Sequence, residues 1–135
     1  MMTIISTDNK RMVDCGSSDT LHAVYSTAAV LLKSSLEISL GLEFLRTGTC
    51  RPENSQETAR QINLIRDRLA GFPPEEAIYD INDRNQKAPW VGNISPVTTS
   101  CGNLFLTSDG KDLLFELVSL LCYSSLKHIP IVIAE

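Results

Sequence analysis

The chain has 135 residues, of which 43% are hydrophobic and 21% are charged. This length and balance predict one globular domain over residues 1–135 and exclude a disordered chain. The 12 basic and 16 acidic residues give a net charge of −4 without any basic stripe, which disfavours nucleic acid as a partner.

Signals for a membrane, for secretion and for a metal are missing from the sequence. No segment approaches the run of roughly 18 apolar residues that a membrane span needs, so we expect a cytoplasmic protein with no membrane partner. The four cysteines stand far apart, and neither histidine lies in a ligand cluster. Free thiols are therefore expected, with neither metal nor cofactor. The pattern carries no signal for an oligomeric state.

The first half of the chain predicts two strands followed by helices. The β-branched run at residues 2–5 and the segment 11–15 are expected to be strands. Apolar residues then recur on one helical face over residues 20–33, and Ser18 or Asp19 is the expected N-cap.

Two further helices are expected between about residue 36 and residue 70. The first spans about residues 36–45 and stops before Gly48. The second spans about residues 56–70, with Asn54 or Ser55 as its N-cap and a narrow apolar stripe that predicts a helix lying on a surface with one face buried.

The second half predicts strands at residues 77–81 and 103–106, joined by a long connection of the kind that folds compactly or carries function. A helix with a wide apolar face follows, and Asp109 is its expected cap. The last strand, residues 131–133, is apolar on both faces, which favours a central position in the sheet.

This order of elements predicts an α/β or α+β fold. We expect a single layered domain in which helices pack on one central sheet of about four to five strands. The final strand–helix–strand unit has the length of a right-handed parallel crossover.

An acidic cluster accounts for the whole charge excess. Glu75, Glu76, Asp80 and Asp83 fall within nine residues that contain no base, and acids and bases balance outside that window. The cluster is either a solvated turn and strand end or a patch that attracts a basic partner.

Trp90 is the only tryptophan, and it lies in the long connection. It is either a core anchor for that connection or an anchor at a binding interface, where tryptophan is enriched. The chain has no nucleophile elbow and no Walker loop, so the pair Asp80 and Asp83 is the remaining candidate for acid–base catalysis.

Several short motifs resemble one protein family. They are Ser26-Thr27-Ala28-Ala29, Tyr79-Asp80-Ile81-Asn82-Asp83, Pro89-Trp90, Asn93-Ile94-Ser95-Pro96, Thr98, Asn103, Phe105 and the run from Thr107 to Leu113. Together they resemble the immunity protein 70 family of bacterial polymorphic-toxin systems.

This resemblance implies a cytoplasmic antidote that is not an enzyme. Such a protein binds the toxic C-terminal domain of a secreted effector, often in contact-dependent growth inhibition, and the toxin is most often a nuclease. An acidic surface would complement a basic nuclease cleft, so the candidate toxin-binding residues are Glu75, Glu76, Asp80, Asp83, Trp90 and Asn93. The alternatives are an intracellular adaptor or regulatory subunit with an unrelated partner, and an enzyme that uses Asp80 and Asp83.

Overall fold

The computed structural model describes residues 2–33, 35–90, 92, 94 and 96–134, and it shows the mixed α+β class that the sequence predicts. In chain order the regular elements are β1 (Met2–Ser6), β2 (Met12–Gly16), α1 (Ser18–Leu31), α2 (Ser39–Thr47), α3 (Pro52–Leu69), α4 (Leu113–Lys127) and β3 (Ile131–Ala134). Two short 3-10 helices, Leu36–Ile38 and Pro74–Glu76, precede α2 and follow α3. None of the helices in the described part of the chain has the length and apolar character needed to cross a membrane.

The strands form one open sheet in the order β2-β1-β3, and both pairings are antiparallel. The expectation of four to five strands was wrong, since the described residues form three. The expected central, parallel position of the last strand was also wrong, because β3 lies at an edge. Burial also differs between the two faces of this strand: Ile131 is buried, whereas Val132 is 37% exposed.

Two segments expected to be strands do not join the sheet. Residues 77–81 lie against α1, whose side chains bind their backbone groups. Residues 103–106 make one isolated bridge, between Leu106 and Asp112, at the entry to α4. An apolar run becomes a strand only where a second strand offers matching backbone groups, and here other partners take that place.

The helix starts differ from the expected caps for local reasons. The helix α3 begins at Pro52, whose fixed φ and missing N–H suit the first helical position. Ser55 lies inside that helix and is buried, so it is not a cap. At α4 the cap is Asp112, which accepts the Phe115 N–H at 3.2 Å, and not Asp109.

The cap of α1 also differs from the expectation. Ser17 is the N-cap of this helix and makes no side-chain capping bond. Ser18 and Asp19, the expected caps, lie within the first turn. The Asp19 carboxylate instead accepts the Tyr79 hydroxyl at 3.1 Å, so it ties the helix start to the 77–81 segment.

The core draws side chains from all the helices and strands, and its most extensive helix pair is α3 and α4, which run antiparallel. The Ser55 and Ser124 hydroxyls meet at 2.7 Å near one end, and Arg66 pairs with Asp112 at 2.6 Å near the other. Both helices contribute fully buried aliphatic side chains: Ile62, Ile65 and Leu69 from α3, and Leu113, Leu117 and Leu121 from α4. Burial of this apolar surface is the main stabilising term of the scaffold.

Two glycines allow α2 to lie close to its neighbours. At Gly41 an added Cβ would stand 2.8 Å from Ile65 Cδ1, so only glycine fits without a shift. Gly48 ends the helix in the left-handed region, at φ 72°, as the sequence predicts. An added Cβ there would meet the Ile133 side chain at 2.6 Å.

Candidate functional site

Residues 77–81 are bound to α1 by hydroxyl side chains. The Thr27 hydroxyl accepts the Ile78 N–H at 2.9 Å and donates to the Ile78 carbonyl at 3.1 Å. The neighbouring Ser26 hydroxyl accepts the Ile81 N–H at 3.0 Å. Both hydroxyl residues are 0% exposed. We call these three bonds the α1 clasp; they satisfy backbone groups that have no ladder partner.

A histidine–carboxylate contact adds to the α1 clasp at its solvent side. His22 Nε2 lies 2.9 Å from Asp80 Oδ1, and the two side chains are 38% and 24% exposed. The pKa of Asp80 is lowered, first by this bond and then by the Asn82 N–H. Asp80 is therefore an ionised acceptor, and the histidine nitrogen donates. This state favours a holding role over proton transfer, for which a pKa near the working pH is best.

Trp90 joins the segment to the core through two aromatic contacts. Its ring meets Tyr79 edge-on with centroids 5.7 Å apart, and it meets the buried Phe105 in the same way at 5.7 Å. Edge-to-face contacts of this kind stabilise an aromatic cluster beyond the area they bury. Trp90 is only half-buried, so it is both an anchor for the connection and a surface residue.

A pocket of about 340 Å³ opens beside this cluster, and we call it the Trp90 pocket. Its walls include the acids Glu75, Asp80 and Asp83, the bases Arg84 and Lys87, and the apolar or aromatic residues Ile78, Tyr79, Trp90 and Ile94. Apolar walls with a few converging polar groups are typical of a binding site. The two bases offset part of the acidic charge, so the pocket is mixed in charge and not uniformly acidic.

The structure therefore brings together four of the six predicted site residues. Glu75, Asp80, Asp83 and Trp90 line the Trp90 pocket. Glu76 is exposed on the same short 3-10 helix as Glu75 but does not line the pocket. The sixth, Asn93, lies outside the described residues.

Sequence reasoning missed the residues that hold the site in place. His22, Ser26 and Thr27 are more than fifty residues away in sequence from the groups they bind. Two signals were available for Ser26 and Thr27: they belong to one of the motifs quoted above, and they are adjacent hydroxyl residues in the middle of an apolar helix, where such residues need a partner.

The thiols and the acidic groups offer no metal site in the part of the chain that the structure describes. Cys15 and Cys101 are buried, and burial raises the pKa of each thiol to about 11. A thiol with so high a pKa is protonated and unreactive at neutral pH.

Comparison with known protein families identifies the family of this chain. A family model described as Immunity protein 70 matches residues 5–133. The chain belongs to the immunity protein 70 family. No curated protein and no solved structure matches it significantly. Membership of this family indicates a toxin immunity protein, whose task is to bind a cognate toxin.

Two of the motifs that resemble the immunity protein 70 family are in contact with each other. Ser26 and Thr27 belong to the first motif, and the segment 79–83 is the second. The Ser26–Ile81 bond joins them directly, and the Thr27–Ile78 and His22–Asp80 bonds each add a contact from a motif to a residue just outside the other. The matched region thus includes both the Trp90 pocket and the helix that supports it.

Proposed function

We propose that this protein is a cytoplasmic antidote that binds the toxic C-terminal domain of a secreted effector, as in contact-dependent growth inhibition. The match of residues 5–133 to the immunity protein 70 family carries the proposal. The protein acts by occupying a surface of the toxin and not by catalysis. It covers the active site and so protects the producing cell and its siblings.

The proposed contact surface is the rim of the Trp90 pocket. Glu75 and Asp83 are exposed there, Glu76 is exposed next to Glu75, and the half-buried Trp90 lines the same pocket. A nuclease must bind phosphate groups, so its active-site cleft is rich in basic residues. Exposed carboxylates around an aromatic anchor complement such a cleft and speed its encounter. Asn93 belongs to the proposed surface on sequence grounds.

Asp80 has a different place in this proposal. Its Oδ1 atom already accepts from His22 and from the Asn82 N–H inside the molecule, and its side chain is only 24% exposed. We therefore assign the direct electrostatic contacts to Glu75 and Asp83, with Asp80 forming the pocket wall between them.

A rescue experiment tests the function. The effector domain encoded beside this gene is expressed in a susceptible strain, with and without this protein. We expect growth to stop without the protein and to recover with it, and we expect the two proteins to co-purify. Continued growth arrest in the presence of the folded protein would contradict the antidote function.

A matched pair of charge variants tests the contact surface. Glu75→Gln with Asp83→Asn removes two pocket acids, and Glu53→Gln with Asp67→Asn removes two exposed acids of α3. Both variants change the net charge equally, so they alter long-range attraction to a similar extent. We expect only the pocket variant to weaken toxin binding strongly, on the order of tenfold, with a smaller dependence on salt. Equal losses would place the contact surface elsewhere.

A further inference from the structure

Residues 78–81 take their shape from α1 and not from a sheet or a helix of their own. We propose that Ser26 and Thr27 are positioning residues, which hold this segment in the shape that binds the toxin. The inference rests on the proposed function and names residues that determine affinity without touching the partner. Its basis is the α1 clasp, in which two buried hydroxyls bind the backbone at Ile78 and Ile81.

The geometry at Thr27 is unusually restrictive. One hydroxyl both accepts from Ile78 N–H and donates to the carbonyl of the same residue, which fixes the orientation of the backbone on both sides of Ile78. Hydroxyls inside helices commonly bond back to the preceding turn, which satisfies them locally. Here the hydroxyl instead bonds to a residue 51 positions away in the sequence, so it stabilises tertiary structure and not its own helix.

The clasped segment supports the residues proposed to meet the toxin. Tyr79 lies one residue after Ile78 and supports the Trp90 ring at 5.7 Å. Asp80 lies next to it and lines the Trp90 pocket, and Asp83 follows after one turn, with its N–H donating to the Asp80 carbonyl at 3.2 Å. Fixing the backbone at Ile78 and Ile81 therefore fixes the pocket wall from both sides.

Ordering this segment before the encounter raises affinity. If only a fraction of the free molecules has the shape that binds, the apparent Kd equals the intrinsic Kd divided by that fraction, and binding is weaker. Because Ser26 and Thr27 are 0% exposed, the toxin has no access to them in the folded protein. Any effect of their hydroxyls on binding must therefore pass through the segment they hold.

The test begins with the free protein and two substitutions at one position. Thr27→Val has nearly the same shape but no hydroxyl, and Thr27→Ser keeps the hydroxyl. Amide hydrogen exchange is measured by NMR. In Thr27→Val we expect exchange of the Ile78 and Ile81 amides to rise on the order of tenfold, as expected when buried backbone groups lose their partner. Thr27→Ser should restore protection, and amides in α4 should be unchanged in both.

The second measurement is affinity for a catalytically inactive form of the effector domain encoded beside this gene. We expect Thr27→Val to raise Kd roughly tenfold and Thr27→Ser to leave it within about twofold of the original. Ser124→Ala is the matched control, since it removes another fully buried hydroxyl, between α3 and α4. It should lower stability without changing Kd, which separates positioning from general destabilisation.

The outcomes separate failure of this inference from failure of the proposed function. Unchanged exchange at Ile78, or equal affinity losses in Thr27→Val and Ser124→Ala, would overturn the positioning role. The proposed function would survive that result as long as the folded wild-type protein still binds the effector domain. If the folded wild-type protein does not bind the effector domain at all, while exchange responds as expected, the proposed function fails and the α1 clasp remains a structural feature only.

Discussion

Two regions of this molecule are held together in different ways. The pair of helices α3 and α4 is joined by facing rows of fully buried aliphatic side chains. Residues 78–81 are held on α1 by individual hydrogen bonds, and Trp90 is held by edge-to-face contacts with Tyr79 and Phe105. Apolar packing is spread over many contacts, whereas the polar attachment depends on a few atoms in definite positions.

This difference separates stability from recognition. A buried apolar pair stabilises the whole domain, because its removal raises the free energy of the folded state relative to the unfolded state. A hydroxyl that binds a surface segment acts mainly on the local opening of that segment, which costs less than global unfolding. We therefore expect substitutions in the two regions to affect different measurements.

The largest effect is expected in the scaffold. Leu117 is 0% exposed in the interface of α4. Leu117→Ala should lower the free energy of unfolding by ~2–5 kcal/mol, because it removes buried methyl groups and leaves a cavity. Chemical denaturation followed by circular dichroism measures the change. Toxin affinity of the folded fraction should stay the same, and a parallel loss of affinity would break the proposed separation.

A smaller loss is expected at the end of α2. Gly48 adopts φ 72°, and a Cβ would collide with the Ile133 side chain at 2.6 Å. Gly48→Ala should cost about 1–3 kcal/mol, combining left-handed strain with displacement of a flexible side chain in β3. Gly110→Ala is the control. Gly110 also has a positive φ, 85°, but an added Cβ there would meet no other atom, so this variant has the backbone strain and no steric clash. Equal losses in both variants would show that the contact with β3 is unimportant.

The scaffold was predictable from sequence because its pattern is periodic and local. The apolar spacing of α3 and α4 places Ile62, Ile65 and Leu117 in the core whatever lies elsewhere in the chain. Helix starts were less predictable, because Pro52 and Asp112 compete with other good starting residues a few positions away.

The site was only partly predictable. Composition drew attention to Glu75, Asp83 and Trp90, and the structure places all three around one pocket. The residues that support it are bonded across more than fifty positions, and no local pattern specifies such a pairing. For the same reason residues 77–81 were wrongly expected to be a strand: their alternating apolar pattern is real, but their backbone partners are Ser26 and Thr27.

An intermediate effect tests the aromatic attachment. Trp90→Leu removes the edge-to-face contacts with Tyr79 and Phe105. Each such pair contributes ~0.5–1.5 kcal/mol, so we expect a stability loss of about 1–2 kcal/mol, below that of Leu117→Ala. Because Trp90 is the only tryptophan, unfolding must be followed by circular dichroism and not by fluorescence. Toxin affinity should fall much more than stability, and the reverse order would assign Trp90 to the scaffold.

The smallest expected effect concerns a polar tie within the scaffold, at the turn between β1 and β2. Asp8 accepts the Ser6 and Tyr123 hydroxyls, each at 2.6 Å, and these bonds lower its pKa from 3.8 to about 2. A lowered folded-state pKa means that the stabilisation is complete above about pH 4 and is lost as pH falls towards 2. In Asp8→Asn the charge is absent throughout, so its deficit in Tm should be greatest near neutral pH and should shrink on acidification.

Thermal unfolding at a series of pH values measures this trend, with Asp67→Asn, an exposed acid of α3, as the control. A Tm deficit that stays constant with pH would mean that the shape of the Asp8 side chain, and not its charge, stabilises the fold. A deficit as large as that of Leu117→Ala would contradict the comparison more seriously, because a single turn carboxylate at the surface would then rival the packing of two helices. The expected small, pH-dependent deficit would instead show that polar ties hold local geometry in both regions, while apolar burial decides whether the chain is folded at all.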